Sequence, residues 1–581
     1  MSALLTATCA VPAAGAVLTA ALPAGTTGPR RRTTKVVALG VSAVTLALAA
    51  TAVARFDPDG ARYQLTESYS WIRSFGITFS LGVDGIGAVL ALLTAVLVPI
   101  VMLASWQDAD PPSLPAIGQE GPNSLPAIGP EGPISLPARG EEAPTSAPAD
   151  GRGGAAAPGG TFENRRRTQG FFALILAVEA MVIVSFYATD VFLFYVFFEA
   201  MLIPMYFLIG GFGDKAGGPE SARQRSYAAV KFLLYNLLGG LVMLAAVIGL
   251  YVIAQDQGFG TFDLRTLTTA IADGQLVLSG TAEKALFLGF FFAFAVKAPL
   301  WPLHTWLPNA MGESTAGTAV LITAVVDKVG TFAMLRFCLG LFPDASKTFA
   351  PAIMVLSVIG IIYGALLAIG QKDIKRLVAY ASISHFGFII MGIFALTSQG
   401  QSGATLYMVN HGISTAAWML VAGFLISRRG SRLIADYGGV QKVAPVLAGT
   451  FLIGGLATLS LPGLAPFVSE FLVLVGTFTR YPAIGIVATF GIVLAALYAL
   501  LLYQRTMTGP VKAEVRDMPD LKARELAVVA PLVALTILLG VYPKPLTDIV
   551  NPSVDATLSQ VHETDPAPAH PVAATSGGEH K

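Results

Sequence analysis

The chain has 581 residues, of which 54% are hydrophobic and only 13% are charged, whereas a soluble globular domain carries roughly 25% charged residues. This composition and a mean hydropathy of +0.67 exclude a soluble multidomain enzyme and a disordered protein, and they indicate a polytopic membrane protein. The formal net charge of +1 argues against a nucleic-acid partner. The apolar runs do not alternate with polar residues, so we expect transmembrane helices and not the strands of a barrel.

The sequence contains no pattern that is typical of a cofactor or metal site. Cys9 and Cys338 are far apart, and the histidines form neither an HxxxH nor an HExxH pair. No GxGxxG segment opens a helix after a strand. We therefore expect no catalytic redox site, no bound cofactor and no metal in this chain, and any redox chemistry would occur in another chain.

Fourteen apolar segments predict an all-α membrane protein with about fourteen transmembrane helices. They lie at roughly 4–22, 35–54, 83–105, 170–188, 190–211, 227–254, 284–300, 313–340, 350–370, 375–398, 404–427, 444–477, 484–504 and 525–546. Most of the 37 lysines and arginines lie in loops that follow odd-numbered spans. Because cytoplasmic loops are enriched in these residues, we expect those loops in the cytoplasm and both termini on the outer side.

Two regions fall outside this pattern of spans. Residues 107–168 are rich in Pro, Gly, Ala and Glu and contain three copies of an eleven-residue repeat that begins SLPA. They separate the first three spans (1–106) from the rest and predict a disordered cytoplasmic loop, either a tolerated insertion or, less favoured, a binding segment. Residues 511–581 hold the last span and a tail, and after Lys544 we expect no further span and no long amphipathic helix.

Ionisable residues inside the apolar segments are the candidate functional residues, because a charge near the bilayer centre costs about 2.5–3.5 kcal/mol. Glu199 has ten apolar or small residues on each side, which indicates a titrating carboxyl or, alternatively, a neutral structural one. Lys297 is followed by Pro299 and Pro302, which break the helix. A broken span beside a lysine is typical of a hydrated cavity in which the amine exchanges a proton. The alternative is a lysine that extends to the membrane surface.

Three histidines and a second lysine extend this set of candidates. His304 lies two helical turns beyond Lys297 if the helix resumes. A role in a proton relay and a structural role for this histidine are about equally supported. Lys328 lies in mid-span, where we expect it to contact other spans and not its neighbour Asp327, because adjacent helical residues point apart. His385 and His411 are further polar residues in apolar helices.

Glu470 completes the set, in a twelfth span that is broken by Pro462, Gly463 and Pro466. The two broken spans are five spans apart, and an odd offset reverses their direction across the membrane. This spacing predicts two inverted five-helix repeats, at 169–340 and 350–510. The predicted path for protons is a line across the bundle, bridged by water, that runs through Glu199, Lys297, Lys328, His385 and Glu470.

Four segments are similar to the antiporter-like subunits of respiratory complex I: FFEAMLIPMYFLIG, AFAVKAPLWPLHTWLPNA, DIKRLVAYASISHFGF and LPGLAPFVSEF. The resemblance covers nearly the whole chain except 107–168 and the tail. Glu470, where other branches carry lysine, and the absence of a long lateral helix favour the M-type branch. By this resemblance, Glu199 and Lys297 correspond to the family's Glu–Lys pair, and Lys328 corresponds to its connecting lysine.

The sequence departs from the family pattern near the start of the eighth span. Asn309 stands where the family usually has an acidic residue, Met311 replaces a common histidine, and Ser314-Thr315 stand near a usual Ala-Pro. Because these positions lie at the start of that span, we expect its entry path and local hydration to differ from the family pattern.

The resemblance implies a proton-translocating subunit of NADH:quinone oxidoreductase in a bacterial plasma membrane. Its expected partners are the L-type and N-type antiporter-like subunits and small helical subunits, with FMN, iron–sulfur clusters and quinone held in partner subunits. The alternatives are a subunit of a cation/proton antiporter, a subunit of a membrane-bound hydrogenase complex and an inert structural subunit. The cost of several buried charges argues against the last of these.

Overall fold

The computed structural model describes residues 3–23, 28–108, 110, 167–214 and 221–567. They form a bundle of helices and one antiparallel hairpin, β1 Gln64–Ile72 and β2 Ile77–Val83. The helices of the N-terminal part and the first predicted repeat are α1 Leu4–Ala21, α2 Gly28–Ala54, α3 Gly85–Ala104, α4 Arg167–Tyr187, α5 Val191–Ala200, α6 Leu202–Phe212, α7 Ser221–Asp256, α8 Leu264–Ala272, α9 Gly280–Lys297, α10 Leu307–Glu313 and α11 Ala316–Leu341. The later helices are α12 Pro343–Ile369, α13 Ile374–Phe394, α14 Ser398–Arg429, α15 Pro445–Thr458, α16 Ala465–Arg480, α17 Pro482–Met507, α18 Ala523–Val541 and α19 Lys544–Gln560.

Every predicted span coincides with one helix or with a consecutive pair of helices. Twelve spans within the described residues are long and apolar enough to cross a membrane. The polytopic helical fold is therefore confirmed, while the number of fourteen stays a prediction. The division of the chain into two inverted repeats also stays a prediction, although each proposed repeat has its interruption in the fourth span.

Side-chain caps place the ends of several helices where the sequence changes from polar to apolar. Asp190 accepts hydrogen bonds from the backbone N–H groups of Phe192 and Leu193 at the start of α5. Asp373 caps α13 in the same way, through the N–H groups of Lys375 and Arg376. These carboxylates satisfy backbone donors that no helical carbonyl can reach.

Three helices form the centre of the bundle and carry the buried residues Asp327, Lys328, His385 and His411. α11, α13 and α14 are almost completely enclosed by the rest of the chain. In contrast, α7, α12 and α17 expose rows of apolar side chains on their outer faces. A helix that is apolar on an exposed face needs lipid or another apolar partner, so this distribution fits a bundle in a membrane.

The C-terminal tail differs from the expectation. The 17-residue helix α19 follows α18, and its buried face includes Val550, Val554 and Leu558. Ser553 on the same face accepts a hydrogen bond from the N–H of Gly85 (2.9 Å), at the start of α3. The prediction that the tail contains no long amphipathic helix is therefore wrong. The sequence signal for α19 is weak because its apolar face is short and the helix contains Pro552.

The predicted disordered loop at 107–168 lies almost entirely outside the described residues. At its described edge, the Asp110 carboxylate forms an ion pair with Lys35 (2.8 Å), which also donates to the carbonyl of Trp106. This contact fixes the chain after α3 against the start of α2. The role of the repeat segment itself stays a prediction.

Candidate functional site

Glu199 lies near the end of α5, facing α7. Both of its carboxylate oxygens are inaccessible, and neither has a hydrogen-bond partner among the described residues. A Cβ atom on Gly240 of α7 would lie only 1.8 Å from Glu199 Oε1. The absence of a side chain at Gly240 therefore provides the space that the carboxyl group occupies.

Lys297 is the last residue of α9 and is completely buried. Its Nζ donates a hydrogen bond to the carbonyl of Phe198 (2.5 Å) and lies 3.4 Å from the centroid of the Phe198 ring. The ammonium group of Lys297 is thus held by Phe198, the residue that precedes Glu199. The side chains of Lys297 and Glu199 interact electrostatically. This burial excludes a lysine that extends to the membrane surface.

The break after Lys297 follows from its prolines. The chain forms turns through Pro299 and Pro302 until α10 begins at Leu307, and the Trp301–Pro302 peptide bond is cis. His304 lies within these turns and packs against the Tyr363 ring, with 5.1 Å between ring centroids. Because the helix does not resume directly after Lys297, the predicted two-turn spacing does not apply. Among the described residues, no hydrogen bond or ring contact joins His304 to the other candidates.

Lys328 occupies the middle of α11 between two π-helical stretches, Leu321–Val326 and Met334–Cys338. Such widened turns are frequent at functional sites, because they redirect side chains within a helix. Lys328 Nζ lies 2.8 Å from His411 Nδ1 on α14 and 4.1 Å from the centroid of the Phe386 ring. As predicted, Lys328 contacts other spans, so α11 is joined to the second half of the bundle.

His411 also packs against His385 on α13, with 5.2 Å between the two ring centroids. His385 Nε2 lies 3.1 Å from the Tyr498 hydroxyl, and its ring packs against Tyr407 at 5.7 Å. All four side chains are buried. The two histidines, which the sequence could identify only as isolated polar residues, are therefore neighbours.

Glu470 on α16 ends this series of contacts. Its Oε2 accepts hydrogen bonds from the Tyr407 hydroxyl (2.9 Å) and from the Ser460 hydroxyl. We use the term polar series for the contiguous buried side chains Lys328, His411, His385, Tyr407 and Glu470. The polar series crosses α11, α14, α13 and α16 and joins the connecting lysine to the second broken span.

The second break brings Ser460 and Glu470 together. α15 ends at Thr458 and α16 begins at Ala465, with Pro462 and Gly463 between them. Gly463 has a φ of +92°, a conformation that favours glycine. Pro466 lies in the first turn of α16, where proline is well tolerated, so it begins the second helix and does not break the span.

Asp327 is a candidate that the sequence analysis passed over. It is completely buried, and neither carboxylate oxygen has a partner among the described residues. Gly330, one turn later on the same face, would place a Cβ 2.9 Å from the backbone nitrogen of Ala298. Asp327 therefore faces the end of α9, and it interacts electrostatically with both Lys297 and Lys328. The sequence did contain a signal for Asp327, which is an acid in the middle of an apolar span. Because adjacent residues on a helix point apart, Asp327 cannot serve only as the partner of Lys328.

Three hydroxyl groups of the site were also missed. Tyr407, Tyr498 and Ser460 had no distinguishing pattern, because tyrosine and serine are common in membrane helices and a serine there often bonds to its own backbone. Only the packing of the helices shows that they contact His385 and Glu470. No cluster of three or more His, Cys, Asp or Glu residues that could hold a metal ion occurs in the described part of the chain.

Two of the departures from the family pattern, Asn309 in α10 and Ser314 just before α11, contact lysine side chains. Asn309 accepts a hydrogen bond from Lys231 Nζ (3.1 Å), and the carbonyl of Ser314 accepts one from Lys375 Nζ (2.7 Å). Lys375 also forms an ion pair with Asp214 (2.5 Å). The amide at position 309 thus serves as an uncharged acceptor for a lysine.

A helical membrane bundle with two broken spans and buried acids, lysines and histidines defines the class of antiporter-like membrane subunits. The family described as NADH:quinone oxidoreductase/Mrp antiporter, transmembrane, matches residues 188–495. NADH-quinone oxidoreductase subunit M of Mycobacterium tuberculosis is 56% identical over 97% of this chain and 96% of the relative. The chain belongs to this family.

Solved structures share the fold. A chain of respiratory complex I from Thermus thermophilus with bound NADH is 27% identical, with a TM-score of 0.76 over 96% of this chain and 99% of that chain. A chain of the Mrp complex from a Dietzia strain is 19% identical, with a TM-score of 0.73 over 97% of this chain and 100% of that chain. The second likeness concerns the fold alone.

Proposed function

We propose that the chain is the M-type subunit in the membrane arm of a proton-translocating NADH:quinone oxidoreductase. The observation that carries the proposal is the row of neighbouring buried side chains from Lys328 to Glu470 in the second broken span, with a hydrogen bond at each end and packed rings between them. The likeness to curated M subunits over nearly the whole chain supports the same assignment. The subunit would act as a translocase without a redox site of its own.

The first half of the path would be the Glu199–Lys297 pair. A proton that enters beside Glu199 neutralises its carboxylate and weakens the attraction that holds the Lys297 charge. Lys297 then loses its proton more readily to the next acceptor. Because Asp327 faces the end of α9 and lies next to Lys328 in the chain, its carboxylate is suited to pass the proton between the two lysines through water.

The second half of the path would be the polar series. Lys328 contacts one ring nitrogen of His411, and an imidazole can accept a proton at one nitrogen and release it from the other. His385 and Tyr407 continue towards Glu470, whose hydrogen bonds to two hydroxyl groups stabilise its charged form. The gap between the two histidine rings requires a bridging water or a ring rotation.

The same arrangement would carry electrostatic coupling along the membrane plane. The charged groups are buried in the protein interior, where the effective dielectric constant is lower and charges influence each other more strongly than in bulk water. A change of charge at one end therefore alters the proton affinity of the next group. This coupling would connect quinone reduction in other subunits to proton movement in this chain.

The remaining assignments follow from the proposed complex. FMN, iron–sulfur clusters and quinone would be held by partner subunits, and L-type and N-type antiporter-like subunits and small helical subunits would be neighbours. The chain would lie in a bacterial plasma membrane with both termini on the outer side, according to the distribution of Lys and Arg. The subunits of a cation/proton antiporter and of a membrane-bound hydrogenase remain the alternatives that the fold alone does not separate.

The experiment that separates these alternatives is mass spectrometry of the proteins that co-purify with a tagged copy in mild detergent. We expect flavin-containing and iron–sulfur NADH-oxidising subunits. Recovery of a nickel–iron hydrogenase module would keep the proposed proton path and change the electron donor of the complex. Recovery of small antiporter subunits alone, without any redox partner, would refute it.

A further inference from the structure

A basic cleft lies at one end of α7, where this helix meets α10, α13 and the segment after α14. Its volume is about 450 Å³. Three arginines, one acid, two amides and one tyrosine line the cleft. The arginines are Arg223, Arg376 and Arg432, the acid is Glu313, the amides are Gln224 and Asn309, and the tyrosine is Tyr227. None of these lining residues belongs to the polar series, and the proposed proton path does not use the cleft.

The cleft has an excess of positive charge. Arg432 is neutralised by Glu313 (3.2 Å) and by Asp373 (3.3 Å). Within the described chain, Arg223 and Arg376 take part in no ion pair of their own. Both guanidinium groups line this one cleft, and no carboxylate of the described chain forms an ion pair with either of them. Guanidinium groups bind the oxygens of a phosphate in a geometry that suits their paired N–H donors.

An exposed apolar row on α7 begins at the same cleft. Tyr227, Leu234, Leu238 and Leu241 are 59%, 57%, 58% and 53% exposed. Their spacing of seven, four and three residues places them on one face of the helix. Tyr227 lies at the mouth of the cleft, and tyrosine is favoured at the boundary between the apolar core and the headgroups of a membrane.

We propose that this cleft binds an anionic phospholipid. Its phosphate would lie between Arg223 and Arg376, and its acyl chains would extend along the apolar row of α7. Two arginines that form no ion pair within the described chain, next to an apolar row, favour a phospholipid over free phosphate, which has no apolar part. Basic pockets between membrane helices are known to take such headgroups. This inference concerns a lipid site and does not depend on the proposed pumping function.

The test uses the intact native complex reconstituted into phosphatidylcholine vesicles that contain a small fraction of photoactivatable cardiolipin. Crosslinked peptides are identified by mass spectrometry. We expect labelling of α7 between Tyr227 and Leu241, with little labelling when the photoactivatable lipid is phosphatidylcholine. The double variant Arg223→Gln and Arg376→Gln should reduce the labelling at least ~10-fold. Each arginine near an anionic headgroup contributes about 1 kcal/mol, and about 1.4 kcal/mol corresponds to a tenfold change in affinity.

Two matched variants make the test specific. Arg223→Lys with Arg376→Lys retains the charge and should retain most of the labelling. Arg516→Gln with Lys442→Gln removes two exposed charges from other loops and should leave the labelling unchanged. The proposal would be overturned by equal labelling with both lipids, by loss of cardiolipin labelling on addition of inorganic phosphate alone, or by crosslinks from α7 to a neighbouring subunit in place of lipid.

Discussion

At the scale of single residues, burial decides which charged groups carry functional information. Lys297, Lys328 and Asp327 are all at most 1% exposed, and each charge would cost about 2.5–3.5 kcal/mol in a bilayer on insertion scales. Each lysine is held by a specific acceptor, a backbone carbonyl for Lys297 and an imidazole for Lys328. Asp327 has no such protein partner among the described residues, which favours contact with water.

We expect Glu199→Gln and Lys297→Ala to assemble into the complex and to abolish most coupled activity. Each substitution removes one member of the pair that begins the proposed path. The measurement is NADH:quinone turnover and proton uptake in membrane vesicles, with the amount of assembled complex as the reference. Lys284→Ala, an exposed lysine of the same helix, and Glu514→Gln in an exposed loop are the matched controls. Full turnover in either assembled variant of the pair would count against the path.

Asp327→Asn should lower proton pumping at least ~10-fold, because general acid–base groups contribute about 10²–10⁴-fold to proton transfer. Asp327→Glu retains the carboxyl and should restore a large part of the activity. Proton uptake by vesicles, corrected for assembled complex, measures both variants. Equal activity of the asparagine and glutamate variants would show that Asp327 is only a packing residue.

At the scale of elements, the site depends on how closely the helices approach one another. Gly240 allows α7 to pass over Glu199, and Gly330 allows α11 to contact the end of α9. The buried Arg336–Asp84 ion pair (2.7 Å) joins α11 to the start of α3, and Arg336 also donates to the carbonyl of Phe186 (2.9 Å). These contacts fix the positions of the broken spans relative to the central helices.

Gly240→Ala should disrupt function without removing any charged group. The new Cβ atom would occupy the position of the Glu199 carboxyl, so the side chain must move away from Lys297. We expect a large loss of NADH-driven proton uptake in complexes that still assemble. Gly211→Ala on α6, where no heavy atom lies within 4 Å of the added carbon, is the control and should pump normally. Normal pumping by Gly240→Ala would mean that the position of Glu199 is not critical.

Arg336→Ala should destabilise the subunit, because removal of one partner of a buried ion pair costs about 3–5 kcal/mol. The expected result is a lower yield of assembled complex and a lower temperature of thermal aggregation. The exposed Arg505→Ala on α17 serves as the control for loss of a positive charge. An unchanged yield and aggregation temperature in Arg336→Ala would show that the pair contributes little to stability.

At the scale of the whole molecule, the two halves meet through α11 and α14. Lys328 on α11 contacts His411 on α14, so the last span of the first proposed repeat is connected directly to the second. The helix α19 then packs against α3 and thereby attaches the C-terminal segment to the N-terminal part of the bundle. The proposed path therefore depends on contacts between segments that are far apart in the chain.

Deletion of residues 111–160 should leave proton pumping and assembly intact. The repeat-containing segment is polar and rich in Pro and Gly, and the deletion keeps Asp110, which forms the ion pair with Lys35. NADH-driven proton uptake and the yield of the complex are the measurements, with the full-length chain as the reference. Loss of assembly after this deletion would identify the segment as a docking element.

The amino-acid sequence by itself determined the membrane class, the positions of the helical spans, the two breaks and the identity of the buried charges. These features are local, because apolar length, proline position and the cost of a charge in lipid can be evaluated one segment at a time. Glu199, Lys297, Lys328, His385, His411 and Glu470 were all identifiable on this basis.

Only the tertiary structure decided which of these residues are neighbours. It separated His304 from the set, brought His411 between Lys328 and His385, and added Tyr407 and Asp327. It also formed α19 and the β-hairpin, whose short apolar faces are stabilised by distant helices. The physical reason is that periodicity fixes the faces of one helix, whereas contacts between helices depend on how small residues and breaks let whole segments approach each other.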